Sequence, residues 1–340
     1  MTHNAPPLYL VTGASGFVGG HMIDYLLNKG CAVRALVRSA EKAAALSARG
    51  VDIVLGDMKD KESLARAVQG VTGIFHIGAV FREAKLPDSE FFAVNVEGTR
   101  HLFEAAIKAG VPRLIYCSTN GVHGDVKNPP ADETTPYAPC DVYQESKVAS
   151  EAVAFEFYRS QKISGVILRP AMIYGPRDTR LGKIFRMIQR GRFFYVGKGE
   201  ALCHFIDVRD LVHAFWLAME HTEVNAEAFL IAGQEIVPLN QFCNLVADIL
   251  HVKRPWLHIP LIPMQLLGDL CELLCRPFGI EPPLYRRRVD FYIKNRSFVT
   301  KKAQEMLGFQ AKLPLAAEVQ DIITCYQDEG FLSSYRRDKP

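Results

Sequence analysis

No run of apolar residues in this 340-residue sequence is long and unbroken enough to span a bilayer. The most apolar stretch, Trp256 to Leu274, is interrupted by Pro260, Pro263, Gly268, Asp269 and Glu272. A secretory pattern is also lacking: Met1 to Pro7 is short and polar and leads straight into a strand, so cytoplasm is the expected location. Paired cysteine spacing is missing. Cys31, Cys117, Cys140, Cys203, Cys243, Cys271, Cys275 and Cys325 are scattered among predicted strands and helices, as reduced thiols are. Cys271 and Cys275 share a helical face without further ligands, so buried thiols are expected there and no metal. Excess charge of one sign is missing too. Forty Lys and Arg against 37 Asp and Glu leave +3, too mild to argue for nucleic acid or an anionic membrane as partner. There is no internal repeat and no low-complexity tract. What remains is 49% hydrophobic and 23% charged, the make-up of a globular enzyme, in a chain long enough for one large unit plus a smaller one.

The first half alternates between two periodicities. Leu8–Thr12, Cys31–Val37, Val51–Leu55, Gly73–Ile77 and Arg113–Cys117 read as short buried strands. Phe17–Asn28, Glu41–Arg49, Glu62–Val68 and Glu90–Lys108 read as helices between them. Strand–helix units of this length predict an α/β fold, a doubly wound parallel sheet covered by helices on both faces. Residues 1–170 are expected to form a dinucleotide-binding unit, with elements returning near 203–232. Residues 171–340 then mostly form a smaller mixed α/β region that caps the substrate.

The first strand runs into Thr12-Gly-Ala-Ser-Gly-Phe-Val-Gly19. Glycines at 13, 16 and 19 permit a tight turn and close backbone approach to a pyrophosphate seated on the following helix. Gly13, Ser15, Gly16, Phe17, Val18 and Gly19 are therefore candidate cofactor contacts. The second strand ends Ala35-Leu-Val-Arg38, with Val37 where an NAD-selective site carries an acid. Arg38, with Arg34 nearby, suits a 2′-phosphate, so NADP(H) is expected over NAD(H). Asp57, followed by Met58, is placed to accept from the adenine amino group.

The strand Arg113–Cys117 ends in Ser118-Thr119-Asn120, and the later helix carries Tyr143-Gln-Glu-Ser-Lys147. Residues four apart on a helix meet on one face. A tyrosine serving as base at neutral pH needs its pKa lowered by roughly three, about 4 kcal/mol. A neighbouring cation supplies roughly one to three of these. Lys147 together with an oxidised nicotinamide covers the difference.

The glycine turn, Asp57, His76-Ile-Gly-Ala79, Asn95-Val-Glu-Gly-Thr99, Tyr143 with Lys147, and Leu168-Arg-Pro-Ala-Met-Ile-Tyr-Gly-Pro176 together resemble the extended short-chain dehydrogenase/reductase family, of the NAD-dependent epimerase/dehydratase type. The motifs keep that family's order to about Phe331; Gly78 stands where alanine is common. The resemblance implies a Rossmann-type fold, with Tyr143 as acid/base and Lys147 lowering its pKa and holding the ribose. Asn95 is the fourth catalytic member. Thr119, with Ser118 as the alternative, holds the reacting oxygen. Ile77, Gly78, Ala79, Pro170, Ala171, Met172 and Ile173 join the cofactor site; Phe81, Asn120, Tyr174 and Arg177 border the substrate. A homodimer through the helices of Asn95 and Tyr143 is expected on the same ground.

Nucleotide-sugar members carry an asparagine and an arginine at positions that here hold Met172 and Cys203. That argues for a bulky apolar carbonyl or alcohol instead, although Arg287 or Arg288 offers a match to a later phosphate-binding arginine. The carboxyl-terminal part, Phe291–Phe298 and Lys302–Phe309 with the apolar Trp256–Leu274, resembles 3β-hydroxysteroid dehydrogenase and dihydroflavonol reductase relatives. The expected function is hydride transfer between nicotinamide and a steroid-, flavonol- or β-keto-like small-molecule substrate. The alternatives are a nucleotide-sugar epimerase or dehydratase, and a non-catalytic cofactor sensor. The Leu266–Leu274 stripe reads as core or lid, with peripheral membrane attachment as the other reading, and Arg286-Arg-Arg288 reads as solvated.

Overall fold

Short apolar runs of the first half assemble into one parallel sheet. The structure, a computed structural model, describes residues 5–81, 86–275 and 292–333. Strands β1 (Leu8–Thr12), β2 (Ala32–Val37), β3 (Asp52–Leu55), β4 (Gly73–His76), β5 (Arg113–Cys117) and β6 (Ser164–Pro170) are joined by β10 (Glu227–Ile231). They lie in the order β10-β6-β5-β4-β1-β2-β3, every pair parallel. The chain steps outward from β1 to β3, then returns to the other side of β1 as β4. That reversal opens a crevice at the carboxyl ends of β1 and β4, where such sheets bind ligands. Thr12 and His76 are register partners there.

Alternate residues of each strand feed opposite cores. Val11, Phe75 and Ile115 pack with Met22, Ile23 and Leu26 of helix α1 (Phe17–Asn28) and with Leu211 and Phe215 of Val208–Glu220. Leu10, Ile74, Leu114 and Tyr116 pack on the other face with Leu64, Leu102, Phe103, Ala154 and Tyr158. Arg113, buried at the start of β5, donates to the carbonyls of Ala218, His221 and Val224. This cation closes the carboxyl end of helix Val208–Glu220, where the dipole is negative.

The expected single helix Glu90–Lys108 is three pieces: Asp88–Phe92, a π-turn Ala93–Glu97, and Gly98–Lys108. Apolar periodicity does not register one inserted residue, and π-turns recur at functional sites. Beyond β6 the chain builds a smaller unit. Strands β7 (Met172–Tyr174), β9 (Leu202–Asp207) and β11 (Ile236–Pro238) form a mixed sheet, and β8 (Tyr195–Val196) pairs with β12 (His258–Ile259). Tyr174, Phe185, Phe205, Phe242, Ile322 and Tyr326 fill its core.

Within that core the Tyr174 hydroxyl donates to Glu318, whose carboxyl is pushed up to about 7 by burial. Between the ordinary value of 4.5 and about 7 the folded state holds a proton that the unfolded chain has released, so folding weakens as pH rises through this window. Glu318→Gln should flatten that slope, which is worth up to about 3 kcal/mol. Urea unfolding at the two ends of the window measures it; an unchanged slope would contradict the assignment.

Candidate active site

Several helices begin with a side-chain cap: Ser39, Asp60, Asp141 and Asp207 each accept a backbone N–H of the first turn. Helix α1 begins at Gly16 with no side-chain cap, and no acid lies in its first turn. Its positive end is left to an anion. Gly13 holds φ +68°, and a Cβ there would lie 2.7 Å from the Gly78 nitrogen; one at Gly19 would lie 2.2 Å from the Gly13 carbonyl oxygen. The turn is thus packed backbone against backbone, and the chain fits a pyrophosphate at this point. Ser15 and Gly16 are exposed, Phe17 and Val18 half-buried.

A hydrogen-bonded chain runs from this turn into the crevice. Thr12 Oγ1 accepts from the Ile77 and Gly78 nitrogens at 3.1 and 3.0 Å, so its own proton goes to His76 Nδ1, 2.8 Å away. His76 Nε2 then donates to Thr99 Oγ1 at 2.9 Å, and Thr99 donates to the Asn95 carbonyl at 2.6 Å. Burial holds the His76 pKa down at about 3, with the Lys147 charge adding to it, so the ring is neutral. Asn95, in the π-turn, accepts from the Val80 nitrogen and donates to the Val80 carbonyl and to Ser146 Oγ at 2.9 Å. It ties the loop after β4 to helix α6 (Val142–Arg159).

Lys147 is 1% exposed. Its ammonium donates to Tyr116 Oη at 2.6 Å and to the Cys117 carbonyl at 2.7 Å, and lies 4.2 Å from the Tyr116 ring centre. Of three N–H groups, one is left uncommitted by these contacts. Burial lowers the Lys147 pKa to about 8. Tyr143, one turn earlier and half-buried, meets the edge of Phe81 at a centroid distance of 4.7 Å. One turn further on, Glu151 and Arg169 form a fully buried ion pair joined by Tyr137.

At the end of β5, Ser118 Oγ and Asn120 Nδ2 are buried polar atoms without a partner among the described residues. Thr119 is half-buried, and its Oγ1 accepts from the Gly121 nitrogen at 3.0 Å. Such orphaned groups fit a polar ligand in the crevice. Arg38 is largely exposed at the end of β2, 4.0 Å from Asp57; Met58 is buried beneath. Gly78 is half-buried and Ala79 exposed, whereas Pro170 and Ala171 are buried and Met172 and Ile173 half-buried at the β6–β7 junction.

Three expected positions lie elsewhere. Tyr174 is wholly buried in the second core, its hydroxyl on Glu318, because strand alternation turns it away from the crevice. Arg177 donates to Asp24 on α1 and lies beside His21. Arg34 is held by Asp52 and by the Ala67 and Gln69 carbonyls, whereas the Arg38 side chain stays largely exposed. Arg286, Arg287 and Arg288 lie outside the described residues. Sequence reasoning missed Tyr116 and Arg180, whose guanidinium stands over the rings of both Phe17 and Phe81. Neither falls in a motif, so nothing in the spacing pointed to them.

A reversing parallel sheet with an uncapped phosphate turn at its switch point defines a dinucleotide-binding α/β enzyme. The chain belongs to the NAD dependent epimerase/dehydratase family, whose model matches residues 9–232, and is an NAD(P)-dependent enzyme of the extended short-chain dehydrogenase/reductase type. It is 32% identical to sterol demethylase protein B of Methylococcus capsulatus over 79% of this chain and 82% of that one. It is 30% identical to a 3-beta-hydroxysteroid dehydrogenase of Mycolicibacterium neoaurum over 94% and 91%. The crystal structure of gox2253 superposes with a TM-score of 0.79 at 31% identity, covering 95% of this chain and 98% of that one.

The buried ammonium has a direct signature. With lysines labelled at Cε, one resonance should titrate near 8 while exposed lysines titrate near 10.5, and Lys147→Met should remove it. A single population near 10.5 would contradict the burial.

Proposed function

We propose that the protein transfers hydride between a nicotinamide dinucleotide and a secondary alcohol or ketone of a bulky apolar, steroid-like substrate. The buried Lys147, fixed by Tyr116 and Cys117 one turn from Tyr143, carries this reading. When bound, the cofactor supplies or accepts the hydride. Tyr143 gives its phenolic proton to the carbonyl oxygen during reduction and removes it from the alcohol during oxidation. Lys147 favours the phenolate by its charge and turns its remaining N–H toward the ribose. Thr119, or Ser118, whose hydroxyl has no partner among the described residues, holds the reacting oxygen. Asn95, its amide engaged by Val80 and Ser146, positions α6 against the loop after β4.

The substrate class is supported by the sterol- and steroid-directed names of relatives at or above 30% identity. The nucleotide-sugar reading is weaker. Cys203 is buried on β9 with its thiol pushed up to about 12 by burial, and so offers a diphosphate no cation. We assign NADP(H) as the preferred cofactor from Val37 and Arg38. A homodimer and a cytoplasmic location complete the proposal.

Tyr143→Phe should lower turnover of a 3-hydroxysteroid by about 10²–10⁴-fold while cofactor binding, followed by fluorescence titration, stays unchanged. Near-normal turnover would remove Tyr143 from the mechanism. Arg38→Ala should raise the KM for NADP about tenfold or more and leave that for NAD little altered. Equal effects on both would return the cofactor assignment to NAD.

A further inference from the structure

Helix α10 (Leu261–Cys275) carries the Leu266–Leu274 stripe, which reads from the sequence as core or lid with peripheral membrane attachment as the other reading, and it buries little of itself. Met264 and Gly268 face inward, against Val196, Phe194, Ile259 and Tyr292 in the case of Met264. The opposite side shows Ile262, Leu266, Leu267, Leu270, Leu273 and Leu274 to solvent, each 51–70% exposed. At about 100° per residue these fall on one arc about 140° wide, with no charged residue inside it. Asp269 lies on its flank. Trp256, 80% exposed, and Leu257, also exposed, precede the helix in the chain, separated from it by β12 and Pro260. Among the described residues, no helix is long and apolar enough to cross a membrane.

We propose that this face is a membrane-surface anchor: α10 lies in the plane of an anionic lipid headgroup layer, its leucine arc and Trp256 inserted. A helix with a broad uncharged apolar arc and an indole at one end has the form of an interfacial helix. Charge favours lipid as the occupant. Although the whole chain carries only +3, positions 253–296 hold eight Lys or Arg against four Asp or Glu, a local excess of four. Basic residues flanking an apolar helix are drawn to anionic lipid. A second copy of the chain fits less well. A 15-residue helix is about 22 Å long and 10–12 Å across, so one face covers far less than the about 800 Å² per partner of a stable protein interface.

The test needs no substrate and so stands apart from the proposed reaction. The full chain is floated with vesicles of phosphatidylcholine alone and with about 30% phosphatidylglycerol. It should float with the anionic vesicles, with a blue shift of Trp256 emission that is absent in Trp256→Phe. Leu266→Asp with Leu270→Asp should cut the bound fraction at least about tenfold. Both side chains are exposed, so circular dichroism and melting should match wild type; Leu266→Gln with Leu270→Gln gives a milder pair that should show the same loss. No flotation on anionic vesicles, or undiminished flotation of both pairs, overturns the proposal. A change of oligomeric mass in the aspartate pair, with vesicles ignored by the wild type, also overturns it and assigns the face to a second copy.

Discussion

A positive charge with almost no contact with water is the constraint on which the site rests. Burying an ammonium costs several kcal/mol unless partners surround it. Lys147 is held by a phenol oxygen, a backbone carbonyl and an aromatic face, all from the end of β5. Those contacts lock α6 to the sheet at one angle and one register, because a rotation or slip would strand the charge. Glu151 and Arg169 repeat the device a turn later, so two buried charges on α6 are matched to the sheet. Tyr143 inherits its position from that pairing.

A second constraint is carried by neutral groups. The path Thr12, His76, Thr99, Asn95, Ser146 connects the phosphate turn to the Tyr143 carbonyl. Each hydroxyl in it has its proton direction set by its neighbour; burial keeps His76 uncharged, and the Thr12 proton donated to Nδ1 sets its tautomer. The glycine turn and Tyr143 are thereby built on one connected frame. The π-turn at Ala93–Glu97 is the device that brings Asn95 into it.

Much of this was legible in the sequence. The parallel sheet follows from alternating periods, and the phosphate turn from glycines at the end of β1. The Tyr143–Lys147 spacing follows from helical geometry. What was not legible is what depends on packing between distant segments. Tyr116 looks like any buried strand tyrosine until Lys147 is laid across it. Tyr174 sits in a family-like motif, yet strand alternation sends it into the other core. The leucines of α10 carry the same pattern whether they face protein or solvent, and only the structure separates the two.

The last strand of the large sheet, β10, follows β7, β8 and β9 of the smaller unit along the chain and lies beside β6. A chain stopped at the end of β6 would carry a raw, unpaired edge and would lose the partner carbonyls of Arg113. The nucleotide half is therefore not an autonomous module. Variation in such a molecule has to come from loops and surface residues altered in place, since the smaller unit has no seam along which it could be exchanged whole.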